Sequence, residues 1–497
     1  MPLGGAYTTR ISSVNTSDGS SGYVGIGIVG VMIVCRTSAV TSKDARYVNC
    51  FTHTIPNPLT GERKVYAVKR PGFATSSTPS AGNIGNAIYV WTGKGAGTDV
   101  ISSFGAVNST IYNSTSSLGA ITGVCTGITE TFVSATPTLT VTSTDNTGWY
   151  YDTGVGVMTK ITDVDFPGNA ALTLAGTFAH IDGFACVMTT DGKLWASDLN
   201  TVTGWTATSF GSANSYPDKG IGAVRHRNYI MAFGSESVQF FYNAGLTPFP
   251  LANASNLTVK VGAVSATAIA QIADTTFWCG STPQGGLSIF QYDGGLSRIS
   301  TPEIDSIILL SGASNISLTT LRFYGLSFVL VQSGAQTLAY CVEEKMWHQW
   351  NSSITPFYKC AGVSNGSAMV NYGVSKMSTS GKVYVMNQAS LVFTDDSTPY
   401  SAIVQLPPQD FGTMRRKFYN ELEVVGDVET ATSPLTISYS DDDYQTYTTW
   451  GDLDLSQQRR KANRLGSSRR RAWVFTHSAD TPMRIEAMEG NMKVGSS

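Results

Sequence analysis

Charged residues make up 14% of this 497-residue chain, 33 basic against 35 acidic, and glycine supplies 50 positions. Ordinary soluble domains carry ~25% charge, so the Glu- and Lys-rich amphipathic helices of an all-α protein are excluded. A net charge of −2 argues against a dedicated nucleic-acid binder, which needs a positive surplus to neutralise phosphates, and 42% hydrophobic content excludes disorder.

The length suggests about three domains at ~150 residues each. Met1-Pro-Leu-Gly-Gly has neither the basic stretch nor the apolar core of a secretion signal. The longest apolar run, Tyr23 to Val34, is shorter than the ~20 residues of a membrane span. The chain therefore reads as soluble and made in the cytoplasm, with residues 1–74 an extended N-terminal segment. Gly25-Ile-Gly27-Ile-Val-Gly30 matches G-x-G-x-x-G, and Asp44 lies where a ribose-binding carboxylate would fall. That fingerprint needs a strand before it and a helix after it. Polar Ser17 to Gly22 precedes it and β-branched Val31-Met-Ile-Val follows, so no nucleotide site is expected. Residues 75–145, dense in Ser, Thr, Gly and Asn, read as a β insertion or a first blade.

From 146 to 406, period-2 apolar runs bracket glycine turns repeatedly. Phe184 to Met188, Asp191-Gly192 and Lys193 to Ala196 form one hairpin, the D-G pair supplying the positive φ values of a tight turn. Similar units surround Gly154, Gly234, Gly285-Gly286, Gly334 and Gly381, with turn-to-turn spacings of 38, 42, 51, 49 and 47 residues. A repeat of this length with aromatic and glycine punctuation predicts an all-β fold built on a β-propeller. One small sheet cannot bury both faces alone, and a ring of blades covers each face with its neighbour. About six blades are countable, and a seventh fits near Ala87 to Trp91. Alternation also fits one or two large β-sandwiches; the period favours the propeller.

After Pro407-Pro408 the charge density rises, to 24 charged residues in 87 from 44 in 410. This predicts a small, charged C-terminal β domain, 407–497, with alternating strands around Leu422, Leu435 to Tyr439, Trp473 to Phe475 and Met483 to Ile485. Its dense basic run, Arg459, Arg460, Lys461, Arg464, Arg469, Arg470 and Arg471, places seven cations in 13 residues. Phosphate contact, docking on an acidic partner, and pairing with the domain's own acids (Asp441 to Asp443 and Asp452) all fit. Pairing within the domain or across a subunit contact is the reading taken, with the seven as a candidate interface.

Other motifs weigh less. Ser440-Asp-Asp442-Asp-Tyr444 resembles the Asp-box of sialidase-type propellers with Tyr444 in place of glycine, an element that stabilises a hairpin by satisfying turn amides. Asp441 to Asp443 read as a solvated turn in preference to a cation site. Gly362-Val-Ser364-Asn-Gly366 matches the nucleophile elbow, which requires a helix after the serine; the residues that follow alternate like a strand. The five histidines form no metal or catalytic pattern, and Asp182 near His180 and the Arg225-His226-Arg227 triplet are their only suggestive neighbours. Seven scattered cysteines fit buried reduced thiols. The sequons at Asn108, Asn113, Asn253, Asn256, Asn315, Asn351 and Asn365 read as chance. No catalytic, cofactor or metal residues are assigned.

Three collinear stretches resemble a known family. Arg46-Tyr-Val-Asn-Cys-Phe, Asn57-Pro-Leu-Thr-Gly-Glu-Arg-Lys and Lys69-Arg-Pro-Gly72-Phe are similar to the opening segment of the packaged-DNA stabilisation proteins of short-tailed bacteriophages, also called tail nozzle or tail hub proteins. Asp191 to Asp198 with Trp205, followed by Arg227 to Asn243, resembles their central propeller, and Arg469 to Ala487 their C-terminal signature. Residues 1–40 and 75–145 match poorly. The resemblance implies a structural, non-enzymatic component of the virion tail, synthesised in the host bacterial cytoplasm. It implies a homohexameric ring beneath the portal's head-to-tail adaptor, which the N-terminal segment contacts. The ring would carry tail spikes or fibres and a needle or plug protein, close the channel after packaging and conduct DNA transiently, without sequence preference, at ejection. No cofactor or small-molecule substrate is implied, and the basic run would lie at a subunit or adaptor contact, away from the lumen. The competing reading is a glycan-hydrolysing or glycan-binding propeller, sialidase-like or a lectin.

Overall fold

A computed structural model of the chain describes residues 22–27, 46–56, 63–91, 102–107, 109–213, 218–281, 286–334, 336–351, 358–365, 368–375 and 380–495. It divides into two compact units, one of residues 75–337 and 354–389, the other of 1–74, 338–353 and 390–497.

The first unit is a β-propeller. Six four-stranded antiparallel sheets lie within it, and the hairpin of Ile316–Phe323 and Leu326–Ser333 adds a further inner position. The inner strands, in chain order, are Gly85–Trp91, Cys125–Val133, Leu174–Ile181, Gly220–His226, Ile269–Ile272, Ile316–Phe323 and Tyr358–Asn365. Tyr358–Asn365 packs back against Gly85–Trp91, so the ring closes. Its last sheet takes its fourth strand, Ala74–Ser77, from the opposite end of the propeller segment, a closure that joins that segment's two ends in one sheet. The six glycine-turn units counted in the sequence each fall on one of these positions, and the seventh sits at Gly85–Trp91. The Ser/Thr-rich stretch 75–145 supplies the sheet from Gly85–Trp91 to Ser116–Ala120 and the first two strands, Cys125–Val133 and Thr136–Ser143, of the next.

Hydroxyls and backbone groups tie neighbouring blades together. Thr129 Oγ1 donates to the Phe178 carbonyl, Thr320 Oγ1 to Gln271, and the Asn371 amide bridges both backbone groups of Arg322, all across 49 residues. The spacing is the repeat period made visible. Side chains that need little volume let the inner strands approach closely. Gly176 has φ +78°, and a Cβ there would lie 3.0 Å from the Gly222 Cα on the next inner strand. The blades bury apolar clusters between them, such as Met231, Phe233, Phe240, Trp278 and Phe290. Among the described residues the one α-helix, Pro302–Ser311, starts at Thr301, whose side chain accepts from the Ile304 N–H, with proline opening its first turn.

The second unit is a two-sheet sandwich. One sheet runs Cys50–Pro56, Arg63–Lys69, Arg484–Val494, Lys417–Gly426, Lys461–Asn463, with Gly22–Gly27 beside Arg484–Val494. The facing sheet contains Met346–Trp350, Arg46–Val48, Ala402–Gln405, Ala472–His477, Pro434–Ser440 and Thr448–Asp454. The alternation predicted for the C-terminal strands points Tyr419, Leu422, Val424, Leu435, Ile437, Trp473, Phe475 and Ile485 into a common core. Residues 407–497 do not form a domain alone. Their sheets need Arg46–Val48 and Arg63–Lys69 from the start of the chain, and Pro407-Pro408 is a connection inside the unit.

This unit also buries cations. Arg70 and Asp395, both fully buried, pair at 2.5 Å; Arg70 stacks on Tyr400 at 4.0 Å and donates from Nε to Asn49. Lys69 lies over the same Tyr400 ring and donates to the Ala479 carbonyl, and burial lowers its ammonium to about 8. His348 is buried with neither ring nitrogen hydrogen-bonded, and burial lowers it to about 3. Of the seven cysteines, Cys50, Cys125, Cys186, Cys279 and Cys341 are buried free thiols, and burial pushes Cys186 up to about 12.

Candidate functional site

The propeller's inner strands enclose a cavity of about 440 Å³ lined from five of them. Alternation along Cys125–Val133 and its neighbours brings Glu130, His180 and Arg225 to its wall, with Tyr89, Phe132 and Gln271. Glu130 is held in place: Tyr89 Oη donates to one carboxylate oxygen at 3.2 Å and Trp91 Nε1 to the other at 3.3 Å. Burial, reinforced by the carboxylate, raises the Tyr89 phenol, which keeps it a donor. His180 Nε2 accepts from the Gly183 N–H, which assigns its proton to Nδ1, and its ring tilts against Phe132. Burial lowers the His180 imidazole, and Arg225 adds to this against the opposing pull of Asp182 and Glu130. His180 is therefore the neutral member of the cluster. Arg225 is exposed and donates from Nε to the Arg227 carbonyl, and among the described residues its Nη groups have no hydrogen-bond partner. Thr131, adjacent to Glu130 on the strand and so pointing away from the cavity, is 1% exposed, and among the described residues its hydroxyl has no hydrogen-bond partner. The sequence flagged His180 and Arg225 separately; the strand order joins them. Glu130 carried no sequence signal, because a lone Glu in a Thr-rich strand resembles any solvent-facing residue.

The seven cations of the basic run separate by burial. Arg471 is 1% exposed, forms a two-point pair with Asp441 at 2.7 Å, and lies between Tyr439 and Tyr419 at 3.7 and 4.5 Å. Arg460, also buried, donates to the carbonyls of Gln457, Gly426 and Asp427. Lys461 bridges Glu421 and Glu423 on the neighbouring strand. Arg470 meets Asp443 at 3.7 Å on the surface. Arg459, Arg464 and Arg469 are exposed. Asp452 accepts from Thr436. Sequence counting did not include Lys417, buried beside the run, whose ammonium donates to the carbonyls of Thr413, Arg415 and Arg469 and anchors that end of the strand.

The Asp-box-like hairpin is a turn lock in the sandwich. Asp442 accepts from Ser440 Oγ, the N–H groups of Gln445 and Thr446, and Thr446 Oγ1; the Thr446 bonds above all hold its carboxyl down at about 2. Tyr444 keeps the left-handed backbone that the glycine of the box would adopt, φ +65°, because its ring is buried and its hydroxyl bonds the Leu406 carbonyl at 2.9 Å. Asp441 is committed to Arg471, and among the described residues no group of three metal-binding side chains assembles. Residues 362–365 are strand, where an elbow would need a turn; Gly366 lies outside the described residues. Gly25 and Gly27 lie on the strand Gly22–Gly27, while Gly30 and Asp44 are outside the described residues, as are Asn57 to Glu62, Gly285 and Asn108. His226 is buried against Thr276, and His477 Nε2 against Ser433 Oγ at 2.8 Å; that serine is fully buried.

A closed ring of antiparallel blades around a central cavity, carried with a β-sandwich, defines a β-propeller protein. The family profile described as "Bacteriophage P22 Gp10, beta-propeller" matches residues 66–390, the whole propeller. The chain belongs to this phage stabilisation family, a family of structural phage proteins. No curated protein sequence matches it. Among solved structures, BamB from Moraxella catarrhalis is similar at 11% identity over 67% of this chain and 92% of that one, with a TM-score of 0.37.

Proposed function

We propose that this protein is the tail nozzle, or hub, of a short-tailed bacteriophage: it closes the portal channel after genome packaging, retains the DNA and conducts it during ejection. The observation that carries this reading is the family match across the entire propeller. Six copies form a ring beneath the head-to-tail adaptor, with spikes or fibres and a needle or plug attached. A patch on one subunit meeting a different patch on the next closes such a ring. The weakly charged propeller suits a wall past which DNA slides, since each neutralised phosphate adds affinity. Arg459, Arg464 and Arg469, which the sandwich does not use internally, supply the subunit or adaptor contact. Glycan hydrolysis finds little support, because it needs paired carboxylates flanking a sugar and the cavity offers Glu130 alone among its described lining residues. Particles assembled without this protein test the reading. Packaged heads should release their DNA to added nuclease, and adding the purified protein should restore protection. Full protection without it would remove the proposal.

A further inference from the structure

We infer that the propeller cavity binds an acidic sugar, a hydroxylated ring bearing one carboxylate. Its volume of about 440 Å³ lies in the range of small-ligand sites. Three features define the ligand. The Arg225 guanidinium has unspent Nη donors in the planar fork that matches a carboxylate, and the His180 Nδ1–H stands on the same wall. Glu130 is locked by Tyr89 and Trp91, each of its oxygens retaining a lone pair for a ligand hydroxyl. Its negative charge on the same cavity wall disfavours a dianionic phosphate and tolerates a monoanion. Phe132 and Ile128, on the same strand face as Glu130, supply apolar surface for a sugar ring. The site binds without hydrolysing, and the inference stands independently of the nozzle reading.

Calorimetric titration of the full chain with sodium glucuronate tests this, with glucose, acetate and inorganic phosphate as comparison probes. Glucuronate should bind at least about tenfold more tightly than any of the three. Arg225→Ala, at an exposed position, should weaken glucuronate by about tenfold or more while the thermal midpoint stays put. Glu130→Gln should weaken it severalfold and serves as a second probe. Absence of glucuronate binding, equal binding of acetate or phosphate, or undiminished binding to both variants would overturn the inference.

Discussion

The propeller and the sandwich solve the same problem, burying β-sheet faces, with different chemistry. In the propeller, blades meet through threonine hydroxyls, an asparagine bridge and glycine contacts. Each such bond is worth about 1 kcal/mol, and stability is spread over many equivalent joints. In the sandwich, a few buried cations, Arg70, Lys69 and Arg471, are clamped by aromatic rings and carbonyl or carboxylate oxygens. Removing one partner there leaves a desolvated charge, so the same number of mutated atoms has a far larger consequence. A repeat architecture distributes strain; a single-copy sandwich concentrates specificity.

Breaking the buried pair should separate the two units most sharply. Asp395→Ala strands the Arg70 guanidinium and should destabilise the sandwich by about 3–5 kcal/mol in urea unfolding, whereas the double substitution Arg70→Met with Asp395→Leu should recover most of that loss. A double variant as unstable as the single one would show that the pair is needed for packing and not merely as a charge match.

Acid should act next most strongly, and on the sandwich first. His348 and His477 lie at about 3 and about 4 in the folded unit against 6.5 ordinarily. Below pH 6.5 the unfolded chain takes up protons that the folded one refuses. The stability these residues contribute is therefore complete above pH 6.5 and is lost as pH falls toward 4 and then 3. Between pH 6.5 and 5 the loss should be about 2 kcal/mol for each histidine. His348→Phe, which keeps a ring in the pocket, should remove about half of it. An unchanged pH slope would exclude His348 as a source.

Within the propeller the expected effects are smaller and local. Gly176→Ala forces a side chain into a left-handed backbone and against Gly222, at a cost of about 1–3 kcal/mol. Thr320→Val keeps the shape and loses one interblade bond to Gln271, about 1 kcal/mol, read as a shift of the thermal midpoint. A loss from Thr320→Val as large as that from Asp395→Ala would erase the contrast between the units.

Much of the propeller was legible in the sequence because its repeat is local. A glycine turn every 38 to 51 residues registers the strands around it, and the seven-position ring follows the count from Gly154 to Gly381 plus the stretch at Ala87 to Trp91. The sandwich was only half legible. Alternation at Leu435 to Tyr439 and Trp473 to Phe475 marks strands, but their sheet continues through Ala402–Gln405 to Arg46–Val48 and Met346–Trp350, from distant parts of the chain, and no pattern encodes such pairing. Composition shift at Pro407-Pro408 suggested a boundary where the chain merely crosses within one unit. For the cavity, His180 and Arg225 stood out as suggestive neighbours of charges, while Glu130 becomes meaningful only when adjacent blades face it toward the same space. The basic run showed the reverse: seven cations equivalent in sequence divide into buried clasps, such as Arg460 and Arg471, and exposed ones, such as Arg464.

Native mass determination with negative-stain imaging of the purified protein, alone and with a portal adaptor, tests most directly whether rigid modules join into the proposed ring. The expected result is a six-subunit annulus with an open centre that stacks on the adaptor. A single-subunit disc that persists at all concentrations and in the adaptor's presence would contradict it.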